Sequence, residues 1–321
     1  MRPISLPDVA YGSTAVRPSW SDLPESLREA ISARLGEPVA AAQSAGGGFT
    51  RAFAAVLTTP SGARAFVKAA PLKDPTAQWY AREASITAAL PPLVAAARPR
   101  WTLADSGYFV LCLDAVDGHV PTLPWSRPEL DAALTAWSTA ADALAQPPAQ
   151  LQAIGLPQLP EIVRAEMSWW SQVSAGREPM PTTALNTVTP SRLGDLAALE
   201  QALPGLVGGA GMVHGDLRID NVLIDGGGRA WLCDWTWPCL GAPWFDTVTL
   251  LVSAYASGLE VDPRLAGAPA EGVDAALAAL AGYWLERAAG GPSSASPHSR
   301  QHQRFSGETA LAWLADRRGW S

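Results

Sequence analysis

Two short runs, Val213-His-Gly-Asp-Leu-Arg-Ile-Asp-Asn221 and Leu232-Cys-Asp-Trp235, stand on either side of what reads as one β-hairpin. Their spacing constrains the fold more than any other feature of the chain. Val222 to Ile224 and Ala230 to Cys233 are apolar runs flanking Asp225-Gly226-Gly227-Gly228-Arg229, whose glycines can take positive φ in a tight turn. With the turn centred between Gly227 and Gly228, Asn221 and Asp234 should face each other across the ladder at about 5 Å. Two hard oxygen ligands then meet at one end of the hairpin. Such a pair suits Mg²⁺, which keeps phosphate oxygens and water in most of its coordination positions. Asp216, in a tight His-Gly-Asp turn upstream of Asn221, is placed to accept a proton from a hydroxyl aimed at a phosphate.

In order and spacing these residues resemble the catalytic loop and metal-binding Asp of the aminoglycoside phosphotransferase family, the small-molecule relatives of protein kinases. The resemblance implies Asp216 as catalytic base, with Asn221 and Asp234 as Mg²⁺ ligands. The continuation Gly241-Ala-Pro-Trp-Phe-Asp246 resembles the family's Gly-x-Pro-x-x-Asp stretch, which opens a helix and whose Asp braces the catalytic loop. Asp246 is therefore expected to be structural. Any one of these acids alone would be read as a turn residue or a helix cap; four elements agreeing in order and spacing argue for the kinase-like site.

With 321 residues, 48 % of them apolar, the chain can bury a sizeable core as one large or two ordinary domains. No run of about 18 apolar residues occurs, because the richest candidate, Val273 to Leu285, is cut by Asp274 and followed by Glu286. The N-terminus has no apolar stretch behind a basic one. A soluble, cytoplasmic protein without a membrane partner is the expectation. Cys112, Cys233 and Cys239 form neither a disulfide framework nor a Cys-x-x-Cys pair, and read as packing. A formal charge of −7 and the lack of a basic stripe argue against nucleic acid, and are compatible with a cationic small substrate.

Residues 1–20 show no periodicity and read as an irregular arm. Ser21-Asp22-Leu23-Pro24 offers a cap and an early proline for a helix carrying Leu27, Ile31 and Leu35, which Gly36 stops. Residues 38–42, 52–58, 64–69 and 108–113 read as strands of an antiparallel sheet. Lys68 lies in one of them, in a chain whose cationic side chains are arginine everywhere except Lys68 and Lys73. In the resembling family a lysine there binds the α and β phosphates, and a glutamate on the next helix holds it. Trp79, Glu83, Ile86 and Leu90 fall on one helical face, so Glu83 is the charged member of an apolar stripe. That position is unfavourable unless paired, and Lys68 is the natural partner. The alternatives are a snorkelling surface lysine and an inward Arg82 in place of Glu83.

Gly47 and Gly48, within the triple glycine 46–48, sit where a kinase places its loop over the phosphates, glycine letting backbone N–H groups approach an anion. A merely flexible turn is the alternative. Asp114-Ala-Val116-Asp-Gly118 resembles the hinge between lobes, whose backbone at Asp114 and Val116 would hydrogen-bond adenine.

Beyond the hinge the patterning is helical, over residues 130–144, 162–173, 193–203, the stretch after Asp246, 273–287 and 309–317. Residues 174–191 are too long for an ordinary connection and read as a lid or insertion. His214 reads as a packed spacer holding the shape of its loop. Trp169, Trp170, Trp235, Trp237 and Trp244 are candidates for a substrate wall or for core. Glu161 and Glu166 are candidates for binding amino groups or for a solvated helix face.

The resemblance implies an α+β, protein-kinase-like two-lobed fold. Residues 1–113 would form a small lobe with an antiparallel sheet, and residues 114–321 a larger, mostly helical lobe. It further implies a Mg²⁺-dependent phosphotransferase that uses ATP or GTP on a hydroxylated small molecule, such as an aminoglycoside or macrolide antibiotic, a choline-like alcohol or a sugar. The alternative is a non-catalytic, nucleotide-binding pseudokinase or regulatory scaffold, against which the joint presence of Asp216, Asn221, Asp234 and Lys68 argues. Trp235-Thr236 after the metal Asp, and the short interval to Asp246, argue against a protein kinase. The sequence leaves the oligomeric state open.

Overall fold

The computed structural model describes residue 7 and residues 11–182, 190–265, 267–290 and 295–320. The stretch of the expected lid from 183 to 189 lies outside them.

The small lobe begins with α1 (Glu25–Leu35), which buries Leu27 and Ile31. Its start differs slightly from expectation. Ser19 and Asp22 cap each other around a short 3₁₀ turn, and Pro24 takes the N-cap position because its fixed φ suits a helix entry. Strands β1 (Ala41–Ser44), β2 (Phe53–Thr58), β3 (Arg64–Pro71), β4 (Pro99–Asp105) and β5 (Tyr108–Asp114) form an antiparallel sheet ordered β1-β2-β3-β5-β4. The sequence reading missed β4. Its residues are half-exposed at the sheet edge, so it carries little apolar signal.

The period of two in β3 assigns its faces. Ala65, Val67 and Ala69 pack with Leu27 and Ile31 beneath α1, where each large side chain contributes about 1.5–3 kcal/mol by burial. Phe66, Lys68 and Ala70 face the other way, toward α2 (Pro75–Ala89). Asp74 caps α2 by accepting from the Thr76 N–H at 2.8 Å, with Pro75 in the first turn. Lys68 thus projects from a central strand toward the helix that carries Glu83.

The larger lobe opens with the two-residue strand β6 (Gly118–His119), which pairs with the first arm of the hairpin. Helices α3 (Arg127–Ala143), α4 (Ala149–Ala153), α5 (Leu159–Glu166), α6 (Trp169–Ser174) and α7 (Leu193–Leu206) follow. The single helix expected over 162–173 is two. The chain breaks at Met167 and Ser168, and the N–H groups that open α6 are satisfied by the buried Glu200 carboxylate, which accepts from Trp170 N at 2.7 Å. Then come β7 (Met212–Val213), β8 (Val222–Asp225), β9 (Ala230–Leu232) and β10 (Cys239–Leu240), with α8 (Trp244–Ala256), α9 (Ala270–Ala289) and α10 (Ser299–Arg318) closing the fold. Trp170 sits in the core and donates from Nε1 to Ala278 O at 2.7 Å, which fixes α6 on α9. Among the described residues no helix is long and apolar enough to cross a membrane.

The hairpin is one residue out of the expected register. Val222 pairs with Leu232 and Ile224 with Ala230, so the loop is Gly226 to Gly228, closed by Asp225 N–H to Arg229 O at 2.9 Å and Gly228 N–H to Asp225 O at 2.9 Å. The residue opposite Asn221 is Cys233, whose N–H donates to Asn221 O at 2.8 Å. Asp234 lies one position beyond the ladder.

Candidate active site

The His-Gly-Asp turn follows β7 and is pinned from behind. Asp246, fully buried in the first turn of α8, accepts from the backbone N–H of His214 at 2.6 Å and of Gly215 at 3.1 Å. Burial pushes its carboxyl up to about 7, against the pull of the Gly215, His214 and Leu217 N–H groups. Gly215 has φ +78, and a Cβ there would run into the Trp237 carbonyl, so the turn needs glycine. His214 is also fully buried. It donates from Nε2 to Cys233 O at 2.9 Å and accepts the Asp216 N–H at Nδ1 at 3.4 Å, and burial lowers it to about 4. A neutral ring with one donor and one acceptor ties this loop to the strand ahead of Asp234, as its spacer reading requires.

Asp216 stands in the cleft with 25 % of its side-chain surface accessible. Burial raises its carboxyl to about 7; Asp220 and Asp234 add to the rise, while Arg218 and the hydrogen bond from Asn221 oppose it. Asn221 donates through Nδ2 to Asp216 O at 2.7 Å and to Asp216 Oδ2 at 3.2 Å. Both bonds use the amide nitrogen and not its oxygen.

Asp234 supplies the second hard oxygen group and adopts φ +59, a left-handed conformation that aspartate tolerates better than most residues. The hairpin turn is centred on Gly227, so Cys233 stands opposite Asn221, and the left-handed turn at Asp234 redirects the chain where the ladder ends. Asp234 accepts from Thr236 Oγ1 at 2.6 Å and lies 4.0 Å from Lys68 Nζ. Burial raises its carboxyl, but Lys68 and Thr236 outweigh that and hold it below the ordinary range. Among the described residues no group of three or more His, Cys, Asp or Glu could hold a metal unaided. Asn221 and Asp234 together fit a cation that takes its remaining ligands from phosphate and water, as Mg²⁺ does.

Lys68 donates to both carboxylate oxygens of Glu83, at 2.8 and 2.7 Å, and Glu83 is only 2 % exposed. Burial works against charge on both partners and raises Glu83, while Glu83 and Asp234 keep Lys68 above its ordinary range. Glu83 is therefore the inward residue of α2. Arg82 instead reaches the loop after Asp234, donating to Thr236 O at 3.1 Å.

Gly47 and Gly48 lie in the loop joining β1 to β2, as expected. Asp114 ends β5 and pairs with Arg100 at 2.8 Å on the outer surface, and Val116 lies in the connection to β6. Both line a cavity of about 580 Å³ with Arg98, Asp225, Arg229 and Trp231. Lys68, Asp216, Asn221 and Asp234 do not line it. Of the proposed substrate wall, Trp169, Trp170 and Trp235 are core, and Trp237 is exposed against Trp79 with ring centroids 5.4 Å apart. Glu161 is exposed, and Glu166 pairs with Arg287 at 2.9 Å. Burial pushes the Cys112 and Cys233 thiols up to about 12, in keeping with packing.

Two cations escaped the sequence reading. Arg218 lies inside the catalytic-loop motif at a position read as a spacer, and the signal was there: a cation flanked by Asp216 and Asp220. Arg17 belongs to the arm before α1, where no periodicity marks it.

Residues 42–283 match the APH family, described as the phosphotransferase enzyme family. No curated protein matches the chain in sequence. Among solved structures, a thermostable mutant of aminoglycoside phosphotransferase APH(4)-Ia, in a ternary complex with AMP-PNP and hygromycin B, superposes with a TM-score of 0.57 at 14 % identity, covering 93 % of this chain and 100 % of the other. Choline kinase LicA from Streptococcus pneumoniae superposes with a TM-score of 0.55 at 16 % identity, covering 90 % and 98 %. At these identities the structural likeness establishes the two-lobed, kinase-like α+β fold. The family match spans more than half of the chain and includes the loop, hairpin and ion pair described above, so the chain belongs to the APH phosphotransferase family and is a small-molecule kinase.

Proposed function

We propose that the enzyme transfers the γ-phosphate of ATP or GTP to a hydroxyl of a small molecule, with Asp216 as the base. The observation that carries this reading is the convergence of Asp216, Asn221, Asp234 and the Lys68–Glu83 pair on one cleft. The lobes divide near residue 113, with the backbone of Asp114 and Val116 on adenine and Gly47 and Gly48 over the phosphates. Lys68, oriented by Glu83, holds the α and β phosphates. Mg²⁺, held by Asn221 and Asp234, would neutralise phosphate charge.

Asp216 accepts the acceptor hydroxyl's proton as its oxygen attacks the γ-phosphorus in line. The new P–O bond forms, the β–γ bridge breaks, and the nucleoside diphosphate leaves with the bonding pair. Arg218 and Asn221 fix the carboxylate, which places the base without further reorganisation. The solved relatives include proteins named for aminoglycoside and choline phosphorylation. A hydroxylated, cationic acceptor of that kind, an aminoglycoside antibiotic among them, fits an enzyme of formal charge −7.

A panel of aminoglycosides, macrolides, amino alcohols and sugars, assayed for ADP release and by mass for the phosphate ester, tests this reading. One or more acceptors should give ester and ADP in equal amounts. Tight nucleotide binding with no ester from any member would favour the scaffold alternative.

A further inference from the structure

We propose that Arg17, on the arm preceding α1, is a nucleotide-binding residue whose guanidinium pairs with the nucleotide's phosphates beside Lys68. The proposal rests on the phosphotransferase reading and extends its nucleotide site to a segment outside the family match, which begins at residue 42.

The arm spans both lobes. Tyr11 is buried in the large lobe's core, and its hydroxyl meets His302 Nδ1 at 2.7 Å. Trp20, at the other end, packs on Phe53 of the small lobe's sheet with ring centroids 6.0 Å apart. Between these anchors the arm runs along the glycine loop: Ala15 N–H donates to Gly46 O at 2.8 Å, and Thr14 Oγ1 to Gly48 O at 3.3 Å. A Cβ on Gly46 would overlap the Gly12 carbonyl, and one on Gly48, which has φ +90, would stand 2.9 Å from Arg17 Nη2. The loop's glycines thus make room for the arm.

Arg17 is held there as a fixed fork. Nη1 donates to Thr50 Oγ1 and Ala52 O, both at 3.0 Å, and Nη2 donates to Gly47 O at 2.9 Å. Nε is shielded from solvent and has no hydrogen-bond partner. Among the described residues Arg17 makes no ion pair, so a partly buried cation has only neutral acceptors, an arrangement that is costly until an anion arrives. Burial opposes its charge and outweighs Tyr80 and Asp234, the groups that most favour it, and Lys68 Nζ lies 5.3 Å from the Tyr80 ring centroid. Arg17 and Lys68 therefore stand at one wall of the cleft. Lys68 is committed to Glu83, while Arg17 has no carboxylate within ion-pair distance among the described residues, and a guanidinium suits phosphate oxygens.

Calorimetric titration of the full chain with ATP, ADP and adenosine, comparing wild type with Arg17→Met and Arg17→Lys, tests the proposal. Methionine keeps an apolar stem, and thermal unfolding without nucleotide checks that each variant is folded. Arg17→Met should weaken ATP and ADP about tenfold to a hundredfold, the effect of losing a charge-assisted hydrogen bond, and leave adenosine unchanged. Arg17→Lys should recover part of the loss. Equal weakening of adenosine and ATP would mean that Arg17 only supports the loop, and tighter ATP binding by Arg17→Met would mean that the arm plugs the site; either result overturns the proposal. A wild-type protein that binds no nucleotide would instead overturn the functional reading beneath it.

Discussion

Arg218 bridges Asp216 to Asp220: Nη1 donates to Asp216 Oδ1, while Nε and Nη2 each reach a different oxygen of Asp220 at 3.1 Å. The Asp220 side chain is 1 % exposed, so the guanidinium is anchored on a buried carboxylate and presents its remaining edge to Asp216. One cation thus aims Asp216 and opposes the rise that burial imposes on its carboxyl.

The first prediction is a pH profile. A base must be ionised to accept a proton, and burial has raised Asp216 to about 7, so kcat/KM should fall as pH drops through about 7 and level off above it. Arg218→Gln removes the charge that opposes the rise, and should move the midpoint to higher pH. Profiles of both proteins at saturating nucleotide measure this; an unmoved midpoint in the variant would leave Arg218 without electrostatic control over Asp216.

Replacing the proposed base should separate chemistry from binding. Asp216→Asn keeps the size of the side chain and should retain nucleotide affinity, because Lys68 and Asp234 are untouched. Turnover should fall about 10²- to 10⁴-fold, the usual contribution of a positioned base. Single-turnover phosphorylation of an acceptor found in the panel provides the measurement. Undiminished transfer would remove Asp216 from the role.

For the metal, Asp234→Ala should reduce Mg²⁺-dependent nucleotide binding more than Asn221→Ala, since a carboxylate carries a full charge and an amide none. The structure adds a reason. Asp234 also lies 4.0 Å from Lys68, so its loss disturbs the proposed phosphate-binding cation as well. ATP titrations across a range of Mg²⁺ concentrations measure both variants, and equal or reversed effects would contradict the assignment.

How much of this was legible depends on the kind of order involved. The helical spacing of α2 marked Glu83 as a charged member of an apolar stripe in need of a partner, and the family resemblance pointed to Lys68; pattern alone left Arg82 open as the inward residue. Counting along the hairpin failed by one residue at Asp234, because the loop holds three residues rather than an even number. Arg17 left no trace in the pattern. Its position is set by contacts of the arm with a loop some thirty residues away and with His302 on α10, and no local rule encodes those.

The final prediction concerns the pair that pattern and resemblance together revealed. Lys68 Nζ meets both oxygens of Glu83, which is buried while Lys68 is largely so, so removing either leaves a poorly compensated charge and a misplaced partner. Lys68→Ala and Glu83→Ala should each lower kcat/KM for ATP, and the double variant should lose much less than the sum, with a coupling of about 0.5–3 kcal/mol. Unfolding midpoints of the four proteins must be measured alongside, because a lone buried Glu83 also destabilises the small lobe and would mimic a catalytic loss. Asp234 gives a further check: without Glu83, Lys68 is free to swing toward its remaining carboxylate, so Glu83→Ala should weaken ATP more than Mg²⁺-free adenosine. Strict additivity across the cycle would mean that Glu83 stabilises α2 without orienting Lys68, and the phosphate-binding role of Lys68 would then have to stand without it.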